Sequence, residues 1–153
     1  MQQRTTSEWN RTASPGGARR TRLLIEDPSA VWFDDFARFR ACGFEVAVCT
    51  GPQFGGCPLE EGNGCQLVED ADVVLWALDL HEPHSRNVLR LLREHHGETP
   101  LVVRVPPAGF GADDLLGNTS IVRANATIEE SVAVLRRALQ TQTSGDESDV
   151  AVS

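Results

Sequence analysis

The chain has 153 residues, of which 41% are hydrophobic, and carries a formal net charge of −8. A chain of this length can bury one hydrophobic core of ordinary size, and its acidic balance argues against a nucleic-acid-binding surface, because phosphate groups would be repelled. All fourteen cations are Arg, which excludes chemistry that depends on a lysine, such as Schiff-base formation or a P-loop.

Targeting signals and long apolar runs are not evident in the sequence. The first residues lack the apolar segment of a secretory signal, and no run approaches the ~20 apolar residues of a membrane span. We therefore expect a cytoplasmic protein without a membrane partner. In that compartment its four cysteines would be thiols more often than a disulfide framework.

Composition divides the chain into a central domain and two tails. Residues 1–21 are rich in Ser, Thr, Gly and Arg and contain few large apolar groups, so they are predicted to form a disordered N-terminal extension. Residues 141–153 are acidic and show no helical periodicity, which predicts a disordered C-terminal tail. The domain is expected to span residues 22–140.

The first elements of that domain are a strand and a helix. The strand starts at Arg22 and ends in Glu26 and Asp27, and Ser29 is a suitable N-cap for the helix that follows. The helix has an aromatic stripe and ends at a C′ glycine; these residues are Trp32, Phe36, Phe39 and Gly43.

A second strand and an irregular loop come next. Residues 44–49 alternate in the manner of a strand, whereas residues 50–65 contain five glycines and two prolines that rule out a long helix. Only a short helical turn is predicted, near Leu67.

The stretch from Ala71 to Pro83 is predicted to be the central strand and its exit. Its nearly unbroken apolar run is typical of a strand that is buried on both faces of a parallel sheet. In open α/β sheets, binding sites lie beyond the carboxyl ends of the strands. This strand would deliver Asp79, His81 and Glu82 to that edge.

The remaining pattern alternates helix and strand again. We predict a helix over residues 85–97, strands over 100–105 and 120–124, at most a short helix over 112–116, and a last helix that Thr127 and Glu130 begin as a capping box. The inward positions are Val88, Leu91, Leu92 and His95 in the first of these helices and Ile128, Val132, Leu135 and Leu139 in the last.

Five alternations of strand and helix specify the fold class. Right-handed crossovers between parallel strands favour a doubly wound, flavodoxin-like sheet of five parallel strands in the order 2-1-3-4-5, with helices on both faces.

Four short motifs lie at the ends of these elements. They are Ile-Glu-Asp-Pro after the first strand, Asp79 followed four residues later by Pro83, Thr-Pro before a Val-rich fourth strand, and Ile-Glu-Glu at the start of the last helix. With these motifs, residues 22–140 resemble the receiver domain of two-component response regulators. The resemblance implies that Glu26, Asp27 and Asp79 hold Mg²⁺ and that Asp79 accepts a phosphoryl group.

Other positions depart from the family pattern. Val105 stands where a hydroxyl residue should end the fourth strand, and Ala124 or Asn125 stands at the position of the family's lysine. An ungapped count from Asp72 places Ala77, and not Asp79, at the acceptor position. Arg123 could replace the lysine only if the strand register turned it toward the crevice.

These departures predict a degenerate receiver-like module. A phosphoaspartate needs a cation beside Mg²⁺ and a hydroxyl donor, both of which are missing from the pattern. We therefore expect a regulatory domain that binds protein partners, with no catalytic activity and no cofactor, and the formation of a homodimer stays open. The alternative is a working phosphoacceptor that uses Asp79 with Mg²⁺.

The cysteines suggest a third function. Cys49, Cys57 and Cys65 recur at intervals of eight around a Gly/Pro-rich loop, which could ligate a metal, form a redox disulfide, or only pack. Paired Cys-x₂₋₄-Cys knuckles are absent, so a Zn²⁺ site would need a fourth ligand from His81 or His84. We predict that Cys57 and Cys65 lie close together.

Overall fold

The computed structural model describes residues 20–26, 33–49, 57–77, 79–105 and 119–152. For residues 33–35 and 142–152 it describes only the backbone. The strands form one parallel sheet in the order β2-β1-β3-β4-β5. Their bounds are β1 Thr21–Glu26, β2 Phe44–Cys49, β3 Val73–Trp76, β4 Leu101–Val105 and β5 Ser120–Arg123. The predicted fold class and strand order are confirmed.

Helices cover both faces of this sheet. Their bounds within the described ranges are α1 Phe33–Ala41, α2 Gln66–Asp70, α3 Pro83–His95 and α4 Ile128–Val152. Buried side chains of α2 and α3 pack with alternate sheet residues into one apolar cluster, and those of α1 and α4 pack into a second cluster on the opposite face. The result is a three-layer sandwich. Among the described residues, no helix combines the length and apolar character needed to cross a membrane.

The central strand β3 is buried on both faces, as predicted. Val73 and Leu75 face the cluster of α1 and α4, whereas Val74 and Trp76 face the cluster of α2 and α3. None of the four is more than 1% exposed. Side chains alternate between the faces of a strand, so a strand covered by helices on both sides must be apolar throughout.

Short polar contacts start and end individual elements. The Arg22 amide donates to Asp72 Oδ2 over 2.8 Å, and the Asp72 amide donates back to the Arg22 carbonyl, which aligns the starts of β1 and β3. Gly43 follows α1 with φ +100°, which confirms the predicted C′ glycine. Thr127 Oγ1 accepts from the Glu130 amide over 3.1 Å, as expected for the N-cap of α4.

The helix predicted over residues 85–97 begins and ends two residues earlier, at Pro83 and His95. The cause is local, because the Glu82 carboxylate accepts from the Ser85 amide over 2.9 Å and so acts as the N-cap, with Pro83 in the first turn. This hydrogen bond from Ser85 is the main reason that the pKa of Glu82 is lowered.

The prediction that His95 points inward is wrong. Leu89 is fully buried in α3, whereas Leu91 is only partly buried, so the apolar stripe is rotated relative to the predicted one. His96 lies four residues after Leu92 and close to the centre of this rotated stripe, and it is the buried histidine, whereas His95 is exposed.

The last helix also differs from its prediction. The inward positions Ile128, Val132 and Leu135 are confirmed as buried, but the helical backbone continues to Val152. An irregular tail from residue 141 is therefore not what the structure has. The sequence contains no proline in this region, and nothing else in it breaks the helical hydrogen bonds outright.

Several predictions fall outside the described residues. These are most of the N-terminal extension, Asp27 as a metal ligand, Ser29 as a helix cap, Trp32 in the aromatic stripe, and the short helix over residues 112–116. The short helical turn predicted near Leu67 lies within the described residues and is confirmed as α2.

Truncation of α3 residues tests the rotation of this helix. We expect Leu89→Ala to lower the free energy of unfolding by about 2–5 kcal/mol, because it removes a fully buried side chain and leaves a cavity. Leu91→Ala should cost clearly less, since Leu91 only borders the cluster. Urea unfolding of both variants measures the difference, and equal losses would contradict the rotation.

The pH dependence of stability tests the environment of His96. The Cys65 amide donates to His96 Nε2 over 3.0 Å, so the ring must be neutral to accept. Burial is the main cause that lowers the pKa of His96, His95 lowers it further, and Glu69 opposes them. A lowered folded-state pKa means that the stabilisation is complete above the unfolded value of about 6.5 and is lost as the pH falls through the folded value.

Urea midpoints between pH 5 and pH 8 measure this effect. We expect the protein to lose stability on acidification and His96→Gln to lose less, because an amide oxygen can still accept but does not titrate in this range. The variant His81→Gln, at an exposed position, should keep the wild-type slope. An unchanged slope in His96→Gln would show that another group causes the loss.

Candidate functional site

The candidate site lies at the edge of the sheet where the parallel strands end. Glu26 ends β1, Cys49 ends β2, Trp76 ends β3, Val105 ends β4 and Arg123 ends β5. In the strand register Glu26 lies between Cys49 and Trp76, and Val105 lies opposite Arg123. The predicted site residues of the strands therefore share one edge.

Glu26 is the buried acid of this edge. Glu26 is only 4% exposed. Its backbone carbonyl accepts from the Ala77 amide over 2.7 Å, which extends the ladder between β1 and β3 by one residue. Burial is the main cause that raises the pKa of Cys57 and of Cys65, and the charge of Glu26 makes a smaller contribution to both. The burial of this acid is not a feature that the sequence pattern indicated.

Asp79 lies beyond the end of the ladder. Trp76 pairs with Glu26, the Ala77 amide then donates to the Glu26 carbonyl, and Asp79 follows two residues later. Asp79 is exposed, and its Oδ1 accepts from the His81 amide over 2.9 Å. Its side chain therefore closes the local turn that leads from β3 into α3.

Residues of other types occupy the positions expected for the hydroxyl residue and the lysine. Val105 is 3% exposed and contributes an apolar side chain to the cluster of α2 and α3. The Ala124 amide donates to the Val105 carbonyl over 2.7 Å and continues the ladder between β4 and β5. Arg123 is exposed.

Cys57 and Cys65 belong to the segment between β2 and α2. Both pack with the cluster of α2 and α3, as does Cys49, and all are free thiols. Burial is the largest cause that raises the pKa of Cys57 and of Cys65, and the charge of Glu26 adds to it. Nearby amides of Leu59 and Glu60 act in the opposite direction on Cys57.

Two histidines attach this segment to α3. His96, just after the helix, accepts from the Cys65 amide, and His84, near its start, contacts Glu60 through Nε2. The sequence pattern suggested His84 only as a metal ligand and did not predict that His96 is buried. The spacing of His96 from Leu92 was the available signal, because four residues return a helix to the same face.

The described side chains include His, Cys, Asp and Glu residues that can ligate metal ions. Within that part of the chain, no group of three or more His, Cys, Asp and Glu residues is arranged to hold a metal ion. The predicted zinc set, Cys49, Cys57 and Cys65 with His81 or His84, lies wholly within it and is not brought together in this way. The magnesium set of Glu26, Asp27 and Asp79 includes a residue outside it and stays a prediction.

Comparisons with known proteins place the fold. No family model matches the chain, and no curated protein matches it. Among solved structures, a CheY-like response regulator receiver domain from Methanospirillum hungatei is 14% identical, with a TM-score of 0.63 over 83% of this chain and 99% of that one. The signal receiver domain of an HD domain-containing protein from Pseudomonas fluorescens is 16% identical, with a TM-score of 0.61 over 82% and 99%.

A third similar structure, a response regulator receiver protein from Sinorhizobium medicae, is 17% identical, with a TM-score of 0.54 over 80% of this chain and 96% of that one. Identities this low establish architecture and not shared chemistry. With its strand order and flanking helices, the chain has the fold of a response regulator receiver domain.

Proposed function

We propose that the chain is a cytoplasmic receiver-like regulatory module that acts by binding protein partners and not by phosphotransfer. The observation that carries this proposal is the position of Ala77. Its amide donates to the Glu26 carbonyl one residue beyond the Glu26–Trp76 pair that ends the β1–β3 register, and an ungapped count from Asp72 puts this residue where the receiver pattern has its acceptor carboxylate. A methyl group cannot be phosphorylated and cannot ligate Mg²⁺.

The engagement of Asp79 supports the same proposal. Its carboxylate is tied to the His81 amide in a turn, and the exposed position leaves any acyl phosphate open to water. Phosphoryl transfer depends on preorganised positive charge around the transferred group. Val105 provides no hydroxyl, and the whole chain contains no lysine.

In this proposal the domain acts by binding a partner through its surface, and not through a reactive site. Receiver-like domains have two helical layers, and a rigid α/β scaffold can present such a surface without a chemical switch. A second copy of the chain is one partner that this proposal admits. Signal transduction through protein contact is the activity that the fold and the departures at its site jointly favour.

Phosphorylation with a small-molecule donor tests the proposal. We expect no mass increase when the full chain is incubated with Mg²⁺ and acetyl phosphate at neutral pH and its intact mass is measured at once. A labile adduct of one phosphoryl group that requires Mg²⁺ and disappears in Asp79→Asn would show that Asp79 is a working acceptor, which would overturn the proposal.

Glu82→Gln is the matched control for this experiment. Glu82 is an acid in the same turn, so an adduct that Asp79→Asn abolishes and Glu82→Gln retains is specific to Asp79. Circular dichroism of each variant verifies that the fold is intact. An adduct that survives in Asp79→Asn would instead identify another acceptor and would also contradict the absence of phosphotransfer.

A further inference from the structure

The segment from Cys57 to Cys65 folds back on itself. The Asn63 amide donates to the Pro58 carbonyl over 2.9 Å, and the Glu60 amide donates to the Cys57 carbonyl over 3.1 Å. Gly62 has φ +83°, a left-handed conformation that a glycine adopts without strain and that reverses the chain here. The turn therefore holds Pro58 next to Asn63, with Cys57 directly before it and Cys65 two residues after it.

The two thiols share one environment. Both pack against the cluster of α2 and α3, and the pKa of Cys65 responds to Cys57 as well as to Glu26. Cys65 is 8% exposed, whereas Cys57 is partly exposed and accessible to a small solute. One thiol can thus be reached from solvent while its neighbour is protected.

The segment is also held in place from outside. His96 accepts from the amide of Cys65 itself, and Glu60, within the turn, contacts His84. These two contacts lie at opposite ends of α3. The thiols are therefore fixed relative to a rigid helix and do not belong to a freely moving loop.

We propose that Cys57 and Cys65 form a reversible intramolecular disulfide, which makes this segment an oxidant-responsive element beside α3. With hydrogen peroxide as the oxidant, the Cys57 thiolate attacks one peroxide oxygen, giving a sulfenic acid and releasing hydroxide, which takes up the thiol proton as water. The Cys65 sulfur then attacks the sulfenic sulfur and displaces its oxygen as a second water. The two thiols lose two hydrogens, and the peroxide is reduced to two waters.

This proposal does not depend on the proposed function, since it involves neither Asp79 nor a partner. The burial of the two thiols sets the expected rate of oxidation. The thiolate is the reactive form, and burial keeps the pKa of both thiols above the ordinary value. The reaction should therefore be slow at neutral pH and should accelerate by up to about tenfold for each pH unit while the thiols remain mostly protonated.

Peptide mapping of the oxidised full-length chain tests the proposal. No arginine lies between Arg40 and Arg86, so trypsin leaves all four cysteines in one fragment. A glutamate-specific protease separates them into fragments 27–45, 46–60 and 62–69. After treatment with hydrogen peroxide at pH 8 and alkylation of the remaining thiols, we expect fragments 46–60 and 62–69 to be joined and to separate on reduction.

Single substitutions identify the partner of Cys65, because fragment 46–60 carries both Cys49 and Cys57. The joined pair should persist in Cys42→Ser and Cys49→Ser and should vanish in Cys57→Ser. The partly exposed Cys57 is replaced in preference to the buried Cys65, which protects the fold. Four alkylated thiols after oxidation, or a joined pair that Cys49→Ser abolishes, would overturn the proposal.

Discussion

The burial of β3 on both faces is the constraint on which the rest of the structure depends. Each of its four side chains belongs to one of the two apolar clusters. A shift by one residue would move every side chain into the opposite cluster, where it would not fit its neighbours. The reciprocal hydrogen bonds between Arg22 and Asp72 fix that register against β1. Trp76 illustrates the strength of the constraint, because it stays fully buried although its Nε1 has no hydrogen-bond partner among the described residues.

The end of β3 decides what the sheet edge can do. The strand stops at Trp76, which pairs with Glu26, and the Ala77 amide then donates to the Glu26 carbonyl. Asp79 accepts from the His81 amide in the turn that leads into α3, where Glu82 caps the helix. The register that buries β3 therefore places Ala77, and not a carboxylate, directly beyond the last β1–β3 pair.

The edge contains a buried acid, Glu26. A carboxylate taken out of water is costly unless polar groups compensate it. Burial keeps the pKa of Cys57 and of Cys65 above the ordinary value, and the charge of Glu26 adds to this effect. This arrangement favours slow, selective oxidation over general thiol reactivity. The contacts of His84 and His96 attach the segment that carries Cys57 and Cys65 to α3. The two thiols and this helical layer are therefore physically connected.

Much of the architecture was predictable because it is local or periodic. The apolar run of β3, the glycine after α1, the Thr127 cap and the alternation of elements are properties of adjacent residues, and right-handed crossovers then restrict the strand order.

By itself, therefore, the sequence determined the layers, the strand order and the departures from the receiver pattern at Val105 and at the lysine position. Only the tertiary structure decided that Leu89 and His96, and not Leu91 and His95, face the core, because the rotation of α3 is set by its fit against the sheet. It also decided that Glu26 is buried and that His96 holds the Cys65 amide, since residues distant in sequence meet only when the chain folds.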